Sequence, residues 1–144
     1  MRRKLALIAR DPEDLEVVSS LLQDAIVQVG EMTYVQDEGR FVLIASRFRR
    51  DPETGEAASP PGVFERVNCA LRFDRVSAVK RRNLDPARLS RVLSLLAIRC
   101  EGEYIDLVFS GDHTVRLVAD EIACRIDDLD SGWPTRWKPD HPES

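Results

Sequence analysis

The stretch Met32–Arg49, MTYVQDEGRFVLIASRFR, reads as two β-strands and the turn between them. Met32–Gln36 and Phe41–Arg49 are rich in β-branched and aromatic residues, and Asp37-Glu38-Gly39 separates them. That segment is a hairpin signal, because Gly39 can take the positive φ that closing the turn requires. A connection this short leaves the two strands only an antiparallel arrangement. Upstream, Ile26-Val27-Gln28-Val29 before Gly30 keeps the same period of two, so an antiparallel meander is expected.

Further upstream the period changes. Leu15, Val18, Leu21, Leu22 and Ala25 recur at three- and four-residue spacing, which predicts one buried helical stripe. Asp11 is placed to cap it, Pro12 suits the first helical position, and Glu13, Asp14 and Glu16 favour the positive end of the helix dipole. A short strand-like run, Leu5–Ala9, precedes it.

Downstream, residues 51–62 carry Pro52, Gly55, Ser59, Pro60, Pro61 and Gly62, which excludes a strand ladder and predicts a mobile surface loop within one domain spanning residues 1–144. Val67, Cys69, Leu71 and Phe73 then alternate with polar residues as a half-buried strand, and Val76–Val79 continues it after a bend. Lys80-Arg81-Arg82-Asn83 leads to Asp85-Pro86, which is suited to capping a short helical turn. Val92–Cys100 is the most apolar stretch, and Leu95-Leu96-Ala97-Ile98 within it reads as core. Glu101-Gly102-Glu103 and Gly111-Asp112-His113 predict two successive hairpins. Ala119–Leu129 fits both periods: Ile122, Cys124 and Ile126 alternate, whereas Val118, Ile122, Ile126 and Leu129 form a helical stripe. Its Asp, Glu, Ala and Arg content favours the helix. Residues 131–144 read as an irregular tail, with Trp133 and Trp137 pinning it to the fold or offering contacts to a partner.

These elements predict an α+β fold: a curved antiparallel sheet or partly closed barrel of about seven or eight strands, with an N-terminal and a C-terminal helix. The same element order describes pleckstrin-homology-like barrels, the alternative architecture.

Several of these segments together resemble a family: Leu15–Gly30, Arg40-Phe41-Val42-Leu43, Leu71–Val76, Leu93–Arg99, and Asp127-Asp128-Leu129 followed by Trp133, Pro139 and His141. The resemblance is to a mostly alphaproteobacterial group of uncharacterised proteins, a domain of unknown function, and it runs end to end. It implies a whole-chain domain of the bacterial cytoplasm and carries no active-site assignment.

Composition points the same way. Apolar residues make up 43% of 144 and charged residues 32%, a globular balance. No apolar run approaches the roughly 20 residues of a membrane helix, and Leu5–Ala9 is too short for a signal-peptide core. Cys69, Cys100 and Cys124 form an odd, widely spaced set without a CxxC pair, as in a reducing cytoplasm. The net charge of −4 divides unevenly: −4 over residues 1–39, +7 over 40–100 and −7 over 101–144. Such segregation reads as a polyanion-binding face, a self-complementary oligomer, or strands that neutralise each other once folded.

Motifs of catalysis are missing. No Walker lysine follows a glycine loop, and neither G-x-G-x-x-G nor G-x-S-x-G occurs. With only His113 and His141, zinc would need all three cysteines, whose spacing lacks local pairs. Asp127, Asp128 and Asp130 read as a solvated acidic end without the glycine-containing spacing of a calcium loop. No metal and no cofactor is therefore expected. The binding candidates are Arg47, Arg49 and Arg50 at one strand end and Lys80, Arg81 and Arg82 at another, two clusters able to clamp phosphates if the fold puts them on one face. Few aromatics accompany them. The function expected is a non-catalytic interaction module whose partner is another protein or a second copy of this chain. Binding a small ligand, a nucleotide or a nucleic acid is the alternative, and an enzyme using Cys100 or His113 is the third reading.

Overall fold

A computed structural model of the chain describes residues 4–48, 64–85, 87–130 and 133–135. Strand β1 (Ala6–Ala9) leads into helix α1 (Pro12–Leu21), then β2 (Ala25–Val35), a 3₁₀ turn (Gln36–Glu38), β3 (Arg40–Phe48), β4 (Phe64–Phe73) and β5 (Val76–Arg82). β6 (Val92–Glu101), β7 (Tyr104–Phe109), β8 (His113–Ala119), β9 (Cys124–Asp128) and β10 (Trp133–Thr135) follow. Nine strands lie side by side in the order β1-β9-β4-β3-β2-β6-β7-β8-β5, and β10 pairs with β4 beyond the end of β9. Strands β1 and β5 form the two edges, so the sheet stays open.

One face of this sheet is buried over most of its extent. Phe41, Leu43 and Ala45 of β3, Cys69, Leu71 and Phe73 of β4, Ile126 of β9, Leu107 and Phe109 of β7 and Leu117 of β8 belong to a single core cluster. A sheet buries one face to this extent by curling around it. Three irregularities supply the bend. Val27 stands opposite Ala45 but Met32 opposite Leu43; Leu95 opposite Phe109 but Ala97 opposite Val108; Val76 opposite Ala119 but Ala78 opposite Val118.

The break in β2 depends on Gly30. Its N–H donates to the carbonyl of Leu89 at 2.8 Å, and a Cβ at this position would lie 3.0 Å from that same oxygen. Only a residue without a side chain lets residues 89–91 approach so closely. The strand thus runs through Gly30 instead of stopping at it, because the neighbouring segment takes over its hydrogen bonding. Past the break, β2 stays with β3 and leaves β6, which it pairs only over Val92–Leu95.

Helix α1 packs against β6 and β1 and covers β6 beyond Leu95, which the start of β2 at Ala25 does not reach. The N–H of Ile98 donates to the Ser19 hydroxyl at 2.9 Å. Asp11 caps the helix by accepting from the N–H of Asp14, and Leu15, Val18 and Leu21 form the buried stripe that the spacing predicts.

One core assignment is corrected in β6. Leu96 follows inward Leu95 and so faces outward, 44% exposed, and the residue inserted by the bulge returns Ile98 to the buried face. Leu96→Lys is expected to change stability by no more than about 0.5 kcal/mol, whereas Leu95→Ala should cost about 2–5 kcal/mol in a urea titration.

The expected C-terminal helix is replaced by a strand. Cys124, Ile126 and Asp128 alternate into the interior of β9, which pairs with β1 on one side and β4 on the other. Two ladders outweigh a modest helical propensity, and Leu129, on the helical stripe, is 51% exposed. The pleckstrin-homology-like alternative, which needs that helix, falls with it. Strands β9 and β10 are not among the expected strands, and nine lie side by side against the seven or eight expected, whereas β1 falls on the expected run Leu5–Ala9. The proposed loop 51–62 lies outside the described residues. So does the proposed tail, apart from Trp133–Thr135. Among the described residues no helix is long and apolar enough to cross a membrane.

Candidate functional site

Folding joins the basic middle of the chain to its acidic end. Arg47 pairs with Asp128 at 2.9 Å, Arg75 with Asp120 and Glu121 at 2.9 Å each, and Arg82 lies 3.7 Å from Asp112. On the outer face Arg40 and Arg72 share Asp74, Arg116 grips Asp106 through two nitrogens, and Arg125 grips Asp127. The hydrogen bond from Arg75 holds the Asp120 carboxyl below its ordinary range. Much of the charge segregation is therefore spent within one molecule.

Arg47 is the clearest departure from the expected ligand set. It has the same parity along β3 as Phe41, Leu43 and Ala45, so its side chain enters the interior. There it meets Asp128, on the inward parity of β9; the two side chains are 4% and 1% exposed. Arg47 Nε donates to Oδ1, its terminal nitrogen to both carboxylate oxygens, and Asp128 Oδ2 also accepts from the N–H of Leu5 at 2.7 Å. Such a pair is satisfied internally and has nothing to offer a ligand. Arg49 and Arg50 lie outside the described residues, as does Trp137. Trp133 stands in β10 opposite Arg66.

Lys80, Arg81 and Arg82 are all exposed, on the edge strand β5. Strands β2, β6, β7 and β8 separate it from β3, so the two expected clusters do not merge through Arg47. Lys80 is opposite Arg116, Arg81 opposite Val115 and Arg82 opposite Thr114. Cross-strand partners share a face, so Lys80 and Arg82 sit on the outer face and Arg81 on the inner one. Arg116 continues the outer row, its guanidinium 4.3 Å from the centre of the Tyr104 ring.

Two buried polar side chains escaped the sequence reading. His113 is 5% exposed, and its Nε2 lies 2.8 Å from a terminal nitrogen of Arg91. Arginine only donates, so Nε2 accepts, and a neutral ring carries its hydrogen on Nδ1. That atom is buried without a partner among the described residues. Arg66, 6% exposed, donates to the hydroxyl and carbonyl of Ser46 and stands over the Phe48 ring, while its other terminal nitrogen has no partner. Burial pushes the Arg66 pKa down. Neither was legible in advance: His113 reads as a turn residue, and Arg66 has the parity of the solvent face.

The cysteines and His113 do not form a reactive constellation. Cys100 is in register with Ile105 and so with Leu117, four residues along β8 from His113, roughly 13 Å at strand rise. Cys69 and Cys124 are buried, and burial pushes both thiols up to about 12. Alkylation of the native protein at pH 8 should label the half-buried Cys100 ahead of Cys69 and Cys124, with all three reacting in denaturant, as peptide mass mapping can read. Among the described residues no three His, Cys, Asp or Glu side chains gather as metal ligands. A shallow hollow of about 440 Å³ between the 3₁₀ turn, the β4–β5 bend and the end of β8 is lined by Glu38, Asp74, Arg75, Val76, Ser77 and Asp120. Its carboxylates are already engaged by Arg40, Arg72 and Arg75.

Among the described residues the fold and surface define an open, curled antiparallel sheet with one helix near the N-terminus, a neutralised interior and a cationic edge. The chain belongs to the family described as "Protein of unknown function (DUF2948)", whose model matches residues 5–141. No curated protein and no solved structure matches it.

Proposed function

We propose that the protein is a non-catalytic interaction module of the bacterial cytoplasm that binds a protein partner. The observation that supports this most is the run Lys80-Arg81-Arg82, exposed along an open sheet edge while most other strand arginines are matched with carboxylates. Charge kept at an edge serves recognition more readily than stability, since exposed ion pairs contribute little. Three free thiols, two of them buried, suit a reducing compartment. The test is affinity capture of the tagged protein from lysate of its own cells, with and without nuclease. A stoichiometric protein that survives nuclease supports the module; recovery of nucleic acid alone defeats it.

Self-association is the form of this reading in which the partner is a second copy. Light scattering across a salt series separates the two, a strict monomer at high concentration and low salt excluding the homodimer. Polyanion binding is favoured as a second reading by the outer-face row Arg99, Asp106, Arg116 and Lys80, in which three cations stand in line with one carboxylate. Heparin retention unchanged in Arg81→Ala/Arg82→Ala would remove it.

A further inference from the structure

We propose that the outer side of the second half of β5 docks an acidic, extended segment of a protein partner, which joins the sheet as an additional strand; this rests on the interaction-module reading above. Strand β5 pairs with β8 on one side, and among the described residues no strand pairs with its other side. The two halves of β5 differ. At its start the N–H of Val76 donates to the carbonyl of Gly39 at 2.8 Å, and the preceding Arg75 is held by Asp120 and Glu121. That end is covered and neutralised. At Lys80–Arg82 it is neither. Among the described residues Lys80 and Arg81 have no carboxylate partner, and Arg82 reaches only Asp112, 3.7 Å away, with both side chains more than 70% exposed.

An edge of this kind presents backbone donors and acceptors in a row, ready for an extended chain. Its charges decide which chain. Pairing two copies of β5 would set three cations against three, and like charges directly opposite one another destabilise a ladder. The second copy is disfavoured here, and an acidic strand is favoured by the same term with its sign reversed. Geometry also separates a peptide from a nucleic acid. Lys80 and Arg82 lie on one face of the sheet and Arg81 on the other. A phosphate backbone lying along one face meets two of the three, whereas a strand sends successive side chains to both faces and meets all three. The partner therefore carries consecutive acidic residues. Next to them, opposite the half-buried Val79, it carries an apolar residue.

Fluorescein-labelled peptides containing Val-Glu-Asp-Glu or the reverse order, flanked by threonine, test this by anisotropy against the full chain. One order is expected to bind saturably. Binding should weaken at least about tenfold in Lys80→Glu/Arg81→Glu/Arg82→Glu, with circular dichroism showing the variant folded. N-methylating alternate peptide amides should abolish it for one of the two alternating sets, and hydrogen exchange at residues 79–82 should slow on binding. Absence of binding by both orders overturns the proposal. So does equal binding by both N-methylated sets, which marks a cation patch without strand addition. Tighter binding of single-stranded DNA, lost in the triple variant, also overturns it in favour of a polyanion. A lysate partner captured equally well by the triple variant overturns the edge and leaves the interaction module standing.

Discussion

Asp128→Ala is expected to destabilise the folded state by about 3–5 kcal/mol, because it strands a buried guanidinium. Arg47 is 4% exposed and directs its Nε and one terminal nitrogen at this carboxylate. The substitution also removes the acceptor of the Leu5 N–H, which adds to the loss. Folded domains are stable by only about 5–15 kcal/mol, so the variant should shift its urea midpoint strongly and expose β1 to protease. The companion variant Arg47→Met/Asp128→Leu is expected to regain much of the loss, since two apolar side chains of similar size replace both charges together. A cost below about 1 kcal/mol for Asp128→Ala would mean that water reaches the pair.

The second large effect is expected from Phe73→Ala, at about 3–5 kcal/mol. Phe73 is fully buried, stands opposite Phe41 of β3 on one side and Cys124 of β9 on the other, and precedes the bend into β5. Its removal opens a cavity where rigid strands converge, with little freedom to collapse. Phe73→Leu should cost distinctly less. The double variant Phe41→Ala/Phe73→Ala should fall short of the sum of the single costs by about 0.5–3 kcal/mol, because both side chains border one cavity. Strict additivity would show that the two rings do not share it.

What the sequence disclosed was the local grammar. Caps, turns and alternation marked α1, the β2–β3 hairpin and the two hairpins joining β6, β7 and β8, all of which are set by residues close along the chain. What it withheld depends on distant pairing. Ala119–Leu129 satisfies two periods at once, and only the flanking presence of β1 and β4 selects the strand. Taking it as a helix also hid Asp128, whose inward parity appears only in a strand, and with it the destination of Arg47. The parity of Arg47 with Phe41, Leu43 and Ala45 was in plain view. Arginine at an inward position reads as a strand end until an inward carboxylate is found for it. Of the candidate site, the exposure of Lys80–Arg82 was legible, but their place on an edge was not, since edges are a property of sheet order.

The pairing of β1 with β9 has a consequence for synthesis on the ribosome. Leu5 is bonded to Asp128, 123 residues further on. At translation rates of about 5–20 residues per second, the first strand waits roughly 6–25 s for the segment that receives it. During that interval α1 is free to form while β1 and the far side of β4 present unpaired backbone to solvent. The nascent chain is thus most exposed to chaperones and to mispairing near its start, and the closing of β9 between two waiting strands is the step that ends the exposure.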